Sequence, residues 1–519
     1  MNHQEKNKIL NQALSHHHRG EFNQADSLYL KVLSIDPEDF NANHLHGCIL
    51  SQKREYKDAI RFLIKSVELN SNNYEANNNL AIALKNEKDF DRAQSYFNAA
   101  IKIDPKDYRA HHNMGNLFVE INDYQKALQS FTNALDCDGN FLDSRKRMGE
   151  VYQWMYQEND DQINLKKSEE CFLEILEKKP DDVSTLTLLA LVKLWEGDID
   201  ESNSLLQKVH KHQYENQENL SKNIARILSN KKLLATLIKH EYEQLTHIDN
   251  DIDEIRNPKF TKEYYEKLKK YAERIKNNSL EGNDISTDFM KNILKPLYNK
   301  APKNIKKNLI NTKIDISNIE SKYNQIQPEI VVIDDFLTDE ALRDIQKYCR
   351  NANIFKYPYE FGYVGAFLTK GMSNKFFLKL SEDMRLTYGN IFKKHKLTQA
   401  WIFKYDNQKI GTKVHADQAS INVNFWIAPN DSNLDSKSGG LVIWNKLPPK
   451  NWKFSDYNSA SSASKINEFL ESENVDKITI PHKENRCVIF NSKLFHKTDN
   501  FSFKNSYINR RINVTLLFD

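Results

Sequence analysis

The chain has no long apolar run. Nothing in it approaches the roughly 18 consecutive apolar residues that a membrane-spanning helix needs. Val514 to Phe518, interrupted by Thr515, is typical of what exists. With a mean hydropathy of −0.71, a membrane protein is excluded and polar helices are expected. The opening residues, MNHQEKNKILNQAL, contain no apolar segment of signal-peptide length, so export is not expected. An excess of one charge is missing too. The 74 basic and 71 acidic residues leave a net charge of +3, which gives nucleic acid no standing as a default partner. Cysteine is scarce: Cys48, Cys137, Cys171, Cys349 and Cys487 are odd in number and show no CxxC spacing. A disulfide framework and a cysteine-built zinc site are thereby set aside, and reduced thiols in the cytoplasm are expected.

What the sequence does have is length and repetition. At 519 residues it is too long for one core, and two or three domains are expected. Phe22, Tyr56, Phe90 and Tyr124 recur every 34 residues, as do Ala25, Ala59, Ala93 and Ala127. Pro37, Ser71, Pro105 and Gly139 mark a turn at the same step, and Ala13, Gly47, Ala81, Gly115 and Gly149 mark a small residue. Such a period reads as one helical hairpin per repeat. Small residues sit where its two helices touch, and aromatics fill the gap to the next hairpin. The phase slips within QENDDQINLKKSEE and then resumes with Ser168 and Pro180, Ala190 and Ser202. These columns resemble the tetratricopeptide repeat family, and the resemblance implies a solenoid over residues 1–215 whose concave surface binds a peptide or protein. From 216 to 325 the period is lost, and a helical linker region is expected, with the Lys-rich KAPKNIKKNLINTK read as linker.

From Glu329 the pattern changes to short β-branched runs, WIFKYD, INVNFWIA, LVIW, CVIFNS and INVTLLF, separated by Gly, Asn, Asp and Ser. Residues 326–519 are therefore expected to form a double-stranded β-helix, or jelly roll, making the chain a multidomain α + β protein. On this scaffold lies His415-Ala416-Asp417. Alternate strand residues share a face, so His415 and Asp417 can grip one ion. His496, following the strand CVIFN, is the candidate third ligand of a facial triad with open positions. Such dyads arise by chance in a chain with 16 His and 71 acidic residues, and His247-x-Asp249 and His482-x-Glu484 are others. The first lies in a helical stretch and the second in a polar turn, so only His415 has the right setting. Downstream, Arg511, Asn513 and Thr515 alternate onto one face of the last strand, where a guanidinium can grip a carboxylate in a planar, bidentate way. Arg511 is preferred to Arg510 because Asn513 and Thr515 are in register with it. Trp426 and Trp444 read as packing aromatics.

His415, Asp417, His496 and Arg511, in this order, resemble the prolyl-4-hydroxylase-type branch of the Fe(II)/2-oxoglutarate oxygenase superfamily. Tyr405 and the run Gly439-Gly440-Leu441 also match its pattern. The resemblance implies Fe(II) held by His415, Asp417 and His496, and 2-oxoglutarate contacted by Arg511, Tyr405 and Thr515, with O2 as oxidant. Retention of Asp417 favours hydroxylation over halogenation. The implied substrate is a protein or peptide recruited by the repeats. Two alternatives are a small metabolite, with the repeats serving assembly, and a repeat scaffold whose jelly roll is a non-catalytic binding module. The insertion 445–476 is expected to cover the site with Trp452 and Tyr457 and to select substrate.

Overall fold

The computed structural model describes residues 3–249, 262–295, 301, 302, 305, 307–325, 327–406, 411–459 and 461–519. By packing, the chain forms two compact units, one of Met1–Tyr156 with Asp161–Lys178 and one of Gln157–Asp160 with Lys179–Asp519. Among the described residues no helix is long and apolar enough to cross a membrane, and the five cysteines are unpaired.

The first unit is a succession of antiparallel helix pairs, such as Phe40–Gln52 with Tyr56–Leu69 and Tyr108–Glu120 with Tyr124–Cys137. The small-residue column is where the two helices of a pair meet. A Cβ on Gly115 would lie 2.5 Å from the Phe131 ring, and one on Gly47 2.7 Å from Leu63. Ala25, Ala59, Ala93 and Ala127 are fully buried. Two residues after the turn column a side chain caps the next helix: Asp39 accepts from Ala42 N and Asn73 from Ala76 N, each at 2.8 Å. Within each pair the connection passes through the left-handed region, at Gly20, Arg54, Lys88 and Asn122. That position keeps the 34-residue step, yet only its first member is glycine.

Among the described residues the second unit has ten strands in two antiparallel sheets. They are β1 (Ile330–Ile333), β2 (Tyr357–Tyr359), β3 (Tyr363–Phe367), β4 (Leu397–Tyr405), β5 (Ile421–Trp426), β6 (Leu441–Trp444), β7 (Lys477–Ile480), β8 (Cys487–Asn491), β9 (His496–Thr498) and β10 (Ile512–Phe518). The seven-stranded sheet has the order β1-β8-β5-β10-β4-β3-β2, and the three-stranded sheet β7-β6-β9. The terminal strand β10 lies in the middle of the larger sheet, between β5 and β4, so both its edges are paired, and its residues are buried on both faces by what packs on the sheet. On one face Phe336 packs on Phe425 and Phe392 on Phe518. On the other, Trp426, Val488 and Phe490 meet Leu441, Ile443 and Ile480 of the small sheet.

The described parts of 216–325 do not stand apart from the sheets. The helices Gln217–Leu228, Lys231–Asp249, Lys262–Lys276 and Thr287–Leu294 build a core of their own around Leu237, Leu268 and Met290. The second of them is tied to the sheet region by buried polar groups: Glu241 pairs with Lys356 at 2.5 Å and Gln244 donates to the Ala352 carbonyl at 2.9 Å. Arg510 reaches Glu243 on the same helix at 2.7 and 3.0 Å. In the Lys-rich stretch, Lys300, Lys303, Asn304 and Lys306 lie outside the described residues. Leu309 beyond them is buried, its N–H bonded to Asp383 at 2.8 Å, so this part is anchored rather than a free linker.

Candidate metal centre

The site is built where the segment before β5 runs antiparallel to β9. His415 and His496 face each other and exchange both backbone hydrogen bonds, at 3.0 and 2.8 Å. The Asp417 N–H bonds the Ser492 carbonyl at 3.0 Å. Strand alternation then turns His415 and Asp417 to the same side, toward His496. Their ligand atoms all lie within 4.8 Å of one another, and among the described residues this is the one such group of His, Cys, Asp or Glu side chains. His415 Nε2 is 3.9 Å from Asp417 Oδ1, and His496 Nε2 is 3.5 Å from Oδ2.

The orientation of each imidazole is fixed from behind. His415 Nδ1 bonds the Lys413 carbonyl at 2.8 Å and His496 Nδ1 the Leu494 carbonyl at 2.9 Å. A carbonyl can only accept, so Nδ1 carries a proton, and in the neutral ring Nε2 presents its lone pair to the centre. Asp417 is held by two amides: Asn422 Nδ2 donates to Oδ2 at 3.0 Å and Asn458 Nδ2 to Oδ1 at 3.1 Å. Burial pushes the Asp417 carboxyl up. The hydrogen bond to His496, the charges of the two histidines and the Asn458 amide outweigh it, so the group lies below its ordinary range. Burial, then the neighbouring His496, pushes His415 down. A neutral imidazole and a charged carboxylate are the states in which these groups bind a divalent cation. Two imidazoles and one carboxylate fit iron(II) by donor type.

Arg511 immediately precedes β10 and is fully buried. Its Nε donates to the Gly439 carbonyl at 2.7 Å and its Nη2 to that of Gly440 at 3.1 Å, at the threshold of β6 in the small sheet. Gly440 has no room for a side chain, since a Cβ would lie 2.0 Å from the Ile480 carbonyl oxygen. Arg511 Nη1 has no hydrogen-bond partner. The Nε edge is therefore occupied, and the terminal Nη1 is what remains to meet an anion. The Tyr405 ring lies under the guanidinium, 4.7 Å from Cζ to centroid, with the Tyr405 hydroxyl 3.5 Å from Thr498 Oγ1. Burial raises the Tyr405 phenol, and the Arg511 charge partly offsets this. Thr515 is on the same face but its hydroxyl accepts from Asn513 at 3.0 Å. Arg510, one residue away, turns to the opposite face and Glu243.

Several residues of this face carry more than their sequence setting suggested. Asn422 and Asn424 alternate along β5, and Asn424 Nδ2 bonds Asn422 Oδ1 at 3.0 Å, continuing the line to Asp417. Two polar residues spaced by two in an otherwise apolar strand were the legible signal. Trp426, read as packing, has an unpartnered buried Nε1. His482, in a stretch that the sequence presents as a polar turn, is buried beside it at 6.0 Å between ring centroids, and neither ring nitrogen has a partner. Burial, then the charges of Arg511 and Arg486, pushes His482 down to about 3. Its dyad partner Glu484 instead accepts from Gln346 at 2.8 Å. Trp452 of the insertion does not lie over the ligands: it packs on Phe469 and Phe495, with Lys465 above its ring.

Two tetratricopeptide repeat family models match the chain, one over residues 50–117 and one over 110–143. The N-terminal region thus carries tetratricopeptide repeats. No curated protein matches this chain. Among solved structures, that of pilF from Pseudomonas aeruginosa is 18% identical, covering 42% of this chain and 96% of its own, with a TM-score of 0.35. PilW, a type IV pilus biogenesis factor, is 16% identical over 42% and 99%, with a TM-score of 0.37. The repeat protein TTC0263 of Thermus thermophilus is 18% identical over 36% and 99%, with a TM-score of 0.30.

Proposed function

We propose that this chain is an Fe(II)- and 2-oxoglutarate-dependent dioxygenase that hydroxylates a protein or peptide recruited by its repeats. The observation that carries the reading is the convergence of His415, Asp417 and His496 within 4.8 Å, on the same side of a sheet pair as a buried arginine with an unpartnered Nη1. An orphaned buried guanidinium nitrogen is costly unless an anion meets it, and the far carboxylate of 2-oxoglutarate supplies one. The two-sheet arrangement is consistent with a jelly roll in this reading. The five unpaired cysteines suit a reducing cytoplasm.

Fe(II) with bound 2-oxoglutarate and O2 supplies the oxidation, yielding succinate, carbon dioxide and a substrate carrying one added oxygen atom. The chain's own work is placement. His415 and His496 present Nε2 because backbone carbonyls hold Nδ1. Asp417 completes the set as a carboxylate kept charged by its neighbours. Arg511 and Tyr405 fix the dicarboxylate at the other end, and the packed faces of Trp426, Phe490 and Ile443 keep water out.

The test is succinate formation by the full chain with Fe(II), 2-oxoglutarate and O2, alone and with proteins captured by the repeats. Succinate should form above the level of His415→Ala, and a captured protein should gain one oxygen atom by mass spectrometry. Wild type no better than His415→Ala, with every captured protein unmodified, would refute the proposal. Succinate with only a small metabolite oxidised would redirect the substrate assignment.

A further inference from the structure

The 32 residues between β6 and β7, 445–476, read in the sequence as a loop that covers the site. They fold into the short helix Phe454–Tyr457 and the longer Ala463–Ser472. Ile466 and Leu470 of the latter are buried in one cluster with Val414, Ala416, Val442, Trp444 and Phe495. Three members of that cluster are the chain neighbours of the candidate ligands: Val414 and Ala416 flank His415, Ala416 precedes Asp417, and Phe495 precedes His496. Strand alternation sends these apolar side chains away from the ligand side. The insertion therefore braces the ligand segments from behind.

One residue of the insertion reaches the ligand side. Asn458, which ends the short helix, donates its amide to the Ala416 carbonyl at 2.7 Å and to Asp417 Oδ1 at 3.1 Å. Beside it the Tyr457 carbonyl accepts the Ala416 N–H at 3.3 Å. Asn422 holds the other carboxylate oxygen from β5, at 3.0 Å. The terminal torsion of an aspartate is broad and roughly two-fold, so one amide fixes one oxygen and two amides fix the plane. Each oxygen still keeps a lone pair for a cation.

We infer that Asn458 is a positioning residue, through which the docked 445–476 insertion holds Asp417 in its metal-binding orientation. This rests on the metal-centre reading of His415, Asp417 and His496. Loss of such an outer partner typically weakens metal affinity about 10–100-fold. The insertion thus acts as a strap: whatever undocks it loosens the metal.

The experiment is Co(II) titration of the full chain, followed by the visible absorption of the bound ion. Asn458→Ala should weaken binding by about 10–100-fold and change the band shape, because a freed Asp417 alters the coordination. Trp452→Ala, a core change in the insertion that touches no candidate ligand, should weaken binding in the same direction. Exposed Glu468→Ala should leave it unchanged. Should Asn458→Ala not fold, Asn458→Leu, of similar size but without the amide, is read in its place and should lose as much. Wild-type affinity and band shape in the Asn458 variant, with or without weakening in Trp452→Ala, overturns the inference while leaving the metal centre standing. A wild-type chain that binds no Co(II) removes the metal-centre reading itself, and the inference with it.

Discussion

In the repeat unit Asn113 donates to Asn78 at 3.1 Å, and Asn116 bonds both His112 at 3.0 Å and Arg147 at 2.9 Å. On the inward side of the sheet unit, Arg511 Nη1, Trp426 Nε1, Asn424 Oδ1, Asn513 Oδ1 and both nitrogens of His482 meet no partner. The repeat unit also has buried atoms without a partner, His17 Nδ1, Tyr29 Oη and Ser51 Oγ, but they sit on three different helices, whereas Asn424, Trp426 and Asn513 share one face of neighbouring strands. Polar groups that answer one another are part of a fold's own accounting, whereas a cluster left facing the same space asks for a ligand. The regions also differ in reach. Repeat contacts join neighbours one 34-residue step apart, while the sheet unit draws Arg511 to Gly439 and Glu241 to Lys356.

That contrast can be broken at its strongest point first. Removing one partner of the buried Glu241–Lys356 pair strands a charge, so Glu241→Ala should cost about 3–5 kcal/mol in chemical denaturation. A cost below 1 kcal/mol would mean that long-range buried charges do not hold this unit together.

Acid comes next. His482 is pushed from 6.5 to about 3, so as pH falls below 6.5 the unfolded chain takes up a proton that the folded chain refuses. Its contribution is lost progressively down to about pH 3. His482→Phe should lessen the stability drop between pH 7 and 4.5 by on the order of 2 kcal/mol. An identical pH slope in the variant would contradict a buried neutral His482.

In the repeats the sensitive positions are steric. Gly115→Val would drive a side chain into the fully buried Phe131 and should cost about 1–3 kcal/mol in the repeat unit's unfolding. The smallest effect should carry the opposite sign. Lys88 has φ +65° in the intra-pair turn, and Lys88→Gly should stabilise by about 0.5 kcal/mol. A loss of stability there would show that the Lys88 side chain matters more than its backbone strain.

The repeats were legible because each position is sampled several times. The alanine and small-residue columns fall inside the pairing helices, the aromatic column at the first residue of each second helix, and the turn column between the pairs. The left-handed position was not seen, since Arg54, Lys88 and Asn122 share no residue type with Gly20. In the sheet unit, alternation was enough to put His415 with Asp417 and to separate Arg511 from Arg510. What alternation could not supply was register between distant segments. Asn458 lies 41 residues from Asp417 within an insertion whose sequence carries no period, and His482 sat in a polar turn that gave no hint of burial. The anchoring of the described parts of 216–325 onto the sheets was hidden for the same reason. Amphipathic helices announce an apolar face, but not what that face meets.

The central claim is that the triad and Arg511 form one site. Anaerobic calorimetry of 2-oxoglutarate binding to the full chain tests it most directly, with and without Fe(II). Binding should require Fe(II), disappear in His415→Ala, and weaken about 10–100-fold in Arg511→Gln, as expected when a charge-assisted hydrogen bond is removed. No binding in the presence of Fe(II), or binding indifferent to the metal and to Arg511, would contradict the account.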